Sequence, residues 1–173
     1  MPYWKAPAPA PGSTCPEQKS SRTFCLYVLW HNVCGFMATN LNIGEYIGVV
    51  PKSEFDLAEI VENGLPTDSL ALLKLKGLTF SEISEIVISP RTLKHRKARH
   101  EHLSHEETDR VVRVARIVAL AENIFGDHSK ALLWLRTPDE RMGGRCPLSM
   151  LQTEAGGRLI ENMLWQIDEG VYS

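Results

Sequence analysis

The 173-residue sequence predicts an all-α protein, a helical bundle, on three observations. From Ser53 onward, apolar residues recur at spacings of three and four, the period of one helix face. Residues that cap helices precede those runs, and glycine or proline follows them. No stretch alternates apolar and polar residues for long enough to make a sheet.

The elements follow in order. Ser53 caps a helix with Leu57, Ile60 and Val61 on one face, ended by Gly64. Leu65-Pro66-Thr67-Asp68 restarts the chain, and Leu70, Leu72 and Leu73 face inward up to Gly77. Thr79 caps the next helix, whose apolar side is Phe80, Ile83, Ile86 and Val87. Ser89-Pro90 joins an N-cap to proline at the first helical position and opens a helix to about Arg99. Ser104-His105-Glu106-Glu107 is a capping box. It starts the longest helix, to about Phe125, with Val111, Val114, Val118, Ala121 and Phe125 as its inward stripe. Gly126-Asp127 ends that helix and caps another, which Thr137-Pro138 stops after Arg136. Residues 138–146 form a glycine-containing loop, and Pro147 opens a short helical turn. Thr153 caps the last helix, with Ile160, Met163, Leu164 and Ile167 on one face and Gly170 at its end.

Residues 1–36 have another character. Pro2, Pro7, Pro9, Pro11 and Pro16 are half of all the prolines, and an alternating Ala-Pro stretch is extended and packs no core. Met37 opens a more ordinary sequence and is the expected biological start, the preceding residues being an upstream extension or a disordered arm. The apolar run 24–30 is far short of the roughly 20 residues that span a bilayer. No small-residue cleavage site follows it, so no membrane or secretory role is expected and the cytoplasm is the expected location. Cys15, Cys25, Cys34 and Cys146 form no CxxC pair, which excludes a zinc ribbon and a thioredoxin-type motif; they read as free thiols.

The net charge of −2 selects no polyanionic partner, but its distribution is informative. Residues 90–100 hold five Lys or Arg and no acid. Residues 78–99 read as two short helices joined by a tight turn, with Ile83, Ile86, Ile88 and Leu93 fixing the angle between them. This is a helix-turn-helix pattern. Arg91, Thr92, Lys94, His95 and Arg96 then project from the start of a recognition helix, the part that reaches base edges. Arg91 and Lys94 suit guanine, and Thr92 a thymine methyl or a phosphate. Lys97 and Arg99 lie where phosphate contacts are usual. One residue conflicts with the pattern. The turn often carries a left-handed glycine where Val87 stands, and a β-branched residue is costly at positive φ. Either the turn is reshaped or DNA binding is lost.

His95, His100, His102 and His105 cluster after this helix, but their spacing follows no metal-ligand pattern and they read as exposed loop histidines. No metal or cofactor is expected. The C-terminal third carries no Ser/His/Asp set, and neither Gly143-Gly144 nor Gly156-Gly157 follows a strand as a phosphate loop does. No enzymatic activity is expected. Leu132, Leu133, Trp134, Leu135, Leu164 and Trp165 exceed what one small core needs, and tryptophan beside Arg136 and Arg145 suits a protein interface.

At the level of motifs, this third resembles a known family. Leu103-Ser104, Glu106-Glu107 and Asp109-Arg110 open the resemblance. It continues through Ala121-Glu122, Phe125-Gly126-Asp127, Ala131-Leu132 and the run from Trp134 to Pro138. Gly143-Gly144-Arg145, Pro147-Leu148, Thr153-Glu154-Ala155-Gly156, Leu159-Ile160, Ile167 and the run from Glu169 to Tyr172 complete it. In order and spacing these are similar to the toxin-binding domain of Xre/MbcA/ParS antitoxins. Val87 and Met142 depart from the family pattern; the second is a swap that conserves volume. The resemblance implies a bacterial antitoxin whose partner is a RES-domain toxin that consumes NAD⁺. It implies a homodimer, a higher-order complex with the toxin, and repression of the protein's own promoter through operator DNA. It further implies that Trp134, Arg136, Arg145, Leu164, Ile167, Val171, Tyr172 and Ser173 meet the toxin, the last three as a protruding tail that blocks its active site. The expected organisation is an extension over 1–50, a helix-turn-helix domain over 51–103 and a toxin-binding domain over 104–173. The competing reading is a helix-turn-helix regulator with a C-terminal dimerisation or ligand domain and no toxin partner.

Overall fold

Helix follows helix along the described residues because most of the apolar runs begin at a side-chain cap. The computed structural model describes residues 43–171. The proline-rich segment, three of the four cysteines, Met37, Tyr172 and Ser173 lie outside the described residues.

Named in chain order, α-helices among the described residues are α1 (Glu54–Asn63), α2 (Ser69–Leu75), α3 (Phe80–Ile86), α4 (Pro90–Arg99), α5 (His105–Phe125), α6 (His128–Arg136), α7 (Pro147–Met150) and α8 (Glu154–Asp168). A 3-10 turn, Glu140–Met142, lies between α6 and α7. Among the described residues there is no strand, only an isolated bridge between Asp139 and Arg145. The caps are those the sequence predicts. The Ser53, Thr79, Ser89, Ser104, Asp127 and Thr153 side chains each accept a backbone N–H of the first turn. At Thr79 and Ser104 a glutamate closes the box reciprocally.

Two expectations are corrected. A helical stretch at 43–47 puts Ile43, Tyr46 and Ile47 in the core, at most 1% exposed. The part of the predicted arm from 43 to 47 is therefore core, anchored where the Tyr46 hydroxyl donates to Glu122 at 2.6 Å. Phe80 is not on an inward face. It is exposed, with the Lys74 ammonium 4.5 Å above its ring.

The core is organised around α5. Between Val111 and Ala121 every residue except Arg113 and Arg116 is buried, so this helix is surrounded rather than striped. It packs against α1, α6 and α8, while α7 bridges α6, α8 and α3. Gly64 makes the first close turn possible. It sits at φ 75°, and a Cβ there would lie 2.4 Å from the Leu103 carbonyl oxygen. Gly156 does the same for α8, where a Cβ would lie 2.0 Å from the Met150 carbonyl oxygen.

Candidate functional site

Two surfaces carry the residues singled out by sequence, and the first is α4. Its N-cap, Ser89, accepts from the Thr92 amide at 3.2 Å, and the two hydroxyls share a 2.7 Å hydrogen bond. Pro90 fixes the first turn. Leu93 is the one buried residue of α4 and pins it to the core. Arg91, Thr92, Lys94, His95, Lys97 and Arg99 are exposed. No acid lies in the first turn, so the positive end of the helix is not neutralised there.

The turn before α4 is reshaped. Val87 has φ −100° and ψ −62°, in the right-handed region, so the expected strain does not arise. Its amide donates to the Ile83 carbonyl at 2.9 Å, as does that of Ile88 at 3.3 Å. The Val87 side chain is buried, and its carbonyl accepts from Arg110 at 3.3 Å. Among the described non-glycine residues, positive φ occurs at His100, the C-cap of α4.

Arg96 behaves differently from its neighbours on α4. It is half-buried, with its Nε 2.8 Å from a Glu107 carboxylate oxygen and Nη1 donating to the His102 carbonyl. Glu101 adds a contact at 3.7 Å. Unlike the other cations expected at base edges, its side chain locks the C-terminal end of α4 to the start of α5. The His cluster is dispersed. His102 faces the Gly64 carbonyl at 3.0 Å, and among the described residues no group of His, Cys, Asp or Glu is placed to hold a metal.

The second surface runs from the end of α6 through α8. Leu164 has no exposed surface, so in this conformation it packs inside the core beneath α8 and is not part of the exposed surface expected of it. Trp134 is half-buried and tilts against Phe125, ring centroids 5.8 Å apart, at the rim of the core. Ile167 is half-buried, whereas Arg145 and Val171 are exposed. The Val171 amide donates to the Gln166 carbonyl at 3.0 Å, which folds the end of the helix back on itself. Neither Gly143 nor Gly144 has a neighbour within 4 Å of where a Cβ would sit, so both positions face open space, while Met142 beside them is buried in the core.

Arg136 is the junction between the two surfaces. Its Nε and Nη2 reach the two Glu82 oxygens at 2.6 and 2.9 Å, and Nη2 also donates to the Gly77 carbonyl at 2.9 Å. Burial pushes the Glu82 carboxyl up. The hydrogen bond from Arg136, those from the Thr79 amide and hydroxyl, and the Arg136 charge outweigh this and hold it below the ordinary value. Arg113 forms a similar clip between α5 and the start of α8, bonding Asp109, Glu154 and the Leu151 carbonyl. The Glu82, Arg110 and Arg113 contacts were not read from sequence, because their partners lie 54, 23 and 38–41 residues away.

Residues 56–116 match a family model described as the antitoxin Xre-like helix-turn-helix domain. Residues 120–170 match one described as the antitoxin Xre/MbcA/ParS C-terminal toxin-binding domain. The chain is 38% identical over 118 residues to antitoxin Xre of Pseudomonas putida, covering 68% of this chain and 74% of that one. It is 33% identical over 87 residues to antitoxin Xre of Yersinia enterocolitica, covering 50% and 59%. A more distant relative, at 23% over 132 residues covering 62% and 82%, is the Prs ADP-ribosylating antitoxin of a Sphingobium species. No helix among the described residues is long and apolar enough to cross a membrane.

Proposed function

Because the chain belongs to the Xre/MbcA/ParS antitoxin family, as a type II antitoxin with a helix-turn-helix and a toxin-binding domain, we propose that its partner is a RES-domain toxin that consumes NAD⁺. It neutralises that toxin by binding directly and occluding the active site, with no chemistry of its own and no cofactor. Through α4 it holds operator DNA at its own promoter. It works in the bacterial cytoplasm as a homodimer that joins the toxin in a higher-order complex.

The observation that carries this reading is a pairing within one chain. A helix that buries only Leu93 and displays Arg91, Thr92, Lys94 and His95 is joined to a segment matched as toxin-binding. The helix-turn-helix domain spans 51–103 and the toxin-binding domain 104–173, with α5 serving the core of both. Arg145, Trp134, Ile167 and the terminal residues Val171, Tyr172 and Ser173 face the toxin.

The test is protection in cells that co-express the toxin. Deleting residues 171–173, or replacing Tyr172 by Asp, reduces neutralisation while thermal unfolding stays as in the parent. Full protection by both variants overturns the occlusion model.

A further inference from the structure

A cleft of about 470 Å³ opens beside the Arg136–Glu82 pair. Its walls include Glu82 and Glu85 of α3, Arg136 of α6, Arg145 and Cys146. Two guanidinium groups in it have donors to spare. Arg136 spends Nε and Nη2 on Glu82 and the Gly77 carbonyl, while its Nη1 makes no hydrogen bond among the described residues. Among the described residues the Arg145 side chain donates only through Nε, to the Met142 carbonyl at 3.3 Å. Of the acids in the cleft, Glu82 is already matched by Arg136, and Glu85 receives Gln152 at 3.4 Å. The unused donors in the cleft thus belong to two guanidinium groups, which suit an acceptor bearing negative charge, while Glu85 has no ion-pair partner among the described residues.

We propose that this cleft receives a carboxylate of the bound toxin, held by Arg145 and Arg136, and that Arg136 relays its occupancy to the helix-turn-helix. The inference rests on the reading of the partner as a toxin. The relay follows from what Glu82 does. It is the third residue of α3, and its Oε2 accepts from the Thr79 amide at 2.7 Å to close the capping box. An incoming carboxylate competes with Glu82 for one guanidinium. Any share it takes loosens the hold on the start of α3, the first helix of the DNA-binding pair. The C-terminal third and the operator surface thereby bias one another.

The experiment uses the full chain, its co-expressed RES-domain toxin and operator DNA. Toxin affinity is measured, and operator affinity is measured with and without toxin. Arg145→Ala, an exposed change, weakens toxin binding by about tenfold, as expected for one charge-assisted hydrogen bond. Arg136→Lys keeps the charge but loses the forked geometry, and it cuts the toxin-induced change in operator affinity to about twofold or less. Should that variant not fold, Glu82→Gln gives the same readout. Parental toxin affinity in Arg145→Ala overturns the docking, and a parental response in Arg136→Lys or Glu82→Gln overturns the relay. A parent whose operator affinity ignores bound toxin also overturns the relay. A parent that binds no RES-domain toxin overturns the reading of the partner, and this inference with it.

Discussion

Helices α4 and α8 solve opposite problems. Among ten residues, α4 commits only Leu93 to the core and is held at its ends by Ser89 and Arg96. By contrast, α8 buries Gly156, Gly157, Ile160, Met163 and Leu164 against the rest of the bundle. A helix held by its ends leaves its middle free to vary with a ligand, at little cost to folding. A helix held along its length makes every inward change a folding change. Variants of α4 therefore report on recognition, whereas inward variants of α8 report first on stability.

Gly156→Ala has the largest expected effect. Its Cβ would fall on a backbone oxygen, which no rotamer can relieve, and the change costs about 4 kcal/mol or more. Chemical denaturation checks this, and a near-parental midpoint would show that α8 is held less tightly than its contacts imply. Leu164→Ala follows at about 2–5 kcal/mol, read in the same assay. Arg96→Ala comes next. It strips the buried Glu107 carboxylate of a half-buried partner, and the loss, discounted for the solvent that reaches Arg96, is about 1–2 kcal/mol. If Arg96→Ala instead leaves stability unchanged and abolishes operator binding, Arg96 serves the DNA and not the fold.

Acid tests the Glu82–Arg136 junction. The folded Glu82 carboxyl lies below its ordinary 4.5, so below that pH the unfolded chain binds the extra proton. The stabilisation is complete above pH 4.5 and is lost as pH falls through the folded value. Urea midpoints measured from neutral pH down to pH 3 decline over that window, and the decline is shallower in Arg136→Gln. The smallest effect on stability belongs to Arg91→Ala with Lys94→Ala, within about 0.5 kcal/mol. The same pair removes operator retardation, and a lower salt slope accompanies the loss of phosphate contacts.

The helix order and the caps were legible in the sequence because both are local: a serine, threonine or aspartate followed by helical periodicity is enough. The exposed cations at Arg91 and Lys94 were legible for the same reason. The burial of Leu164 was not legible because a count of large apolar residues does not say which side of a helix has neighbours. The ion pair of Arg96 was not legible because its partner Glu107 belongs to the next helix, and a row of cations looks alike whether or not one is taken. The turn at Val87 shows the reverse error. A pattern that usually needs glycine led to an expectation of strain, but Val87 lies in the right-handed region and the turn closes without a left-handed residue there.

The two matched stretches meet within α5, between 116 and 120. A single rod thus sets the azimuth of both halves. Exchanging halves between relatives requires a splice inside that rod with its phase preserved, because inserting or losing one residue turns everything downstream by about 100°. Recombination that ignores this phase yields neither parent's specificity but a bundle whose faces no longer meet.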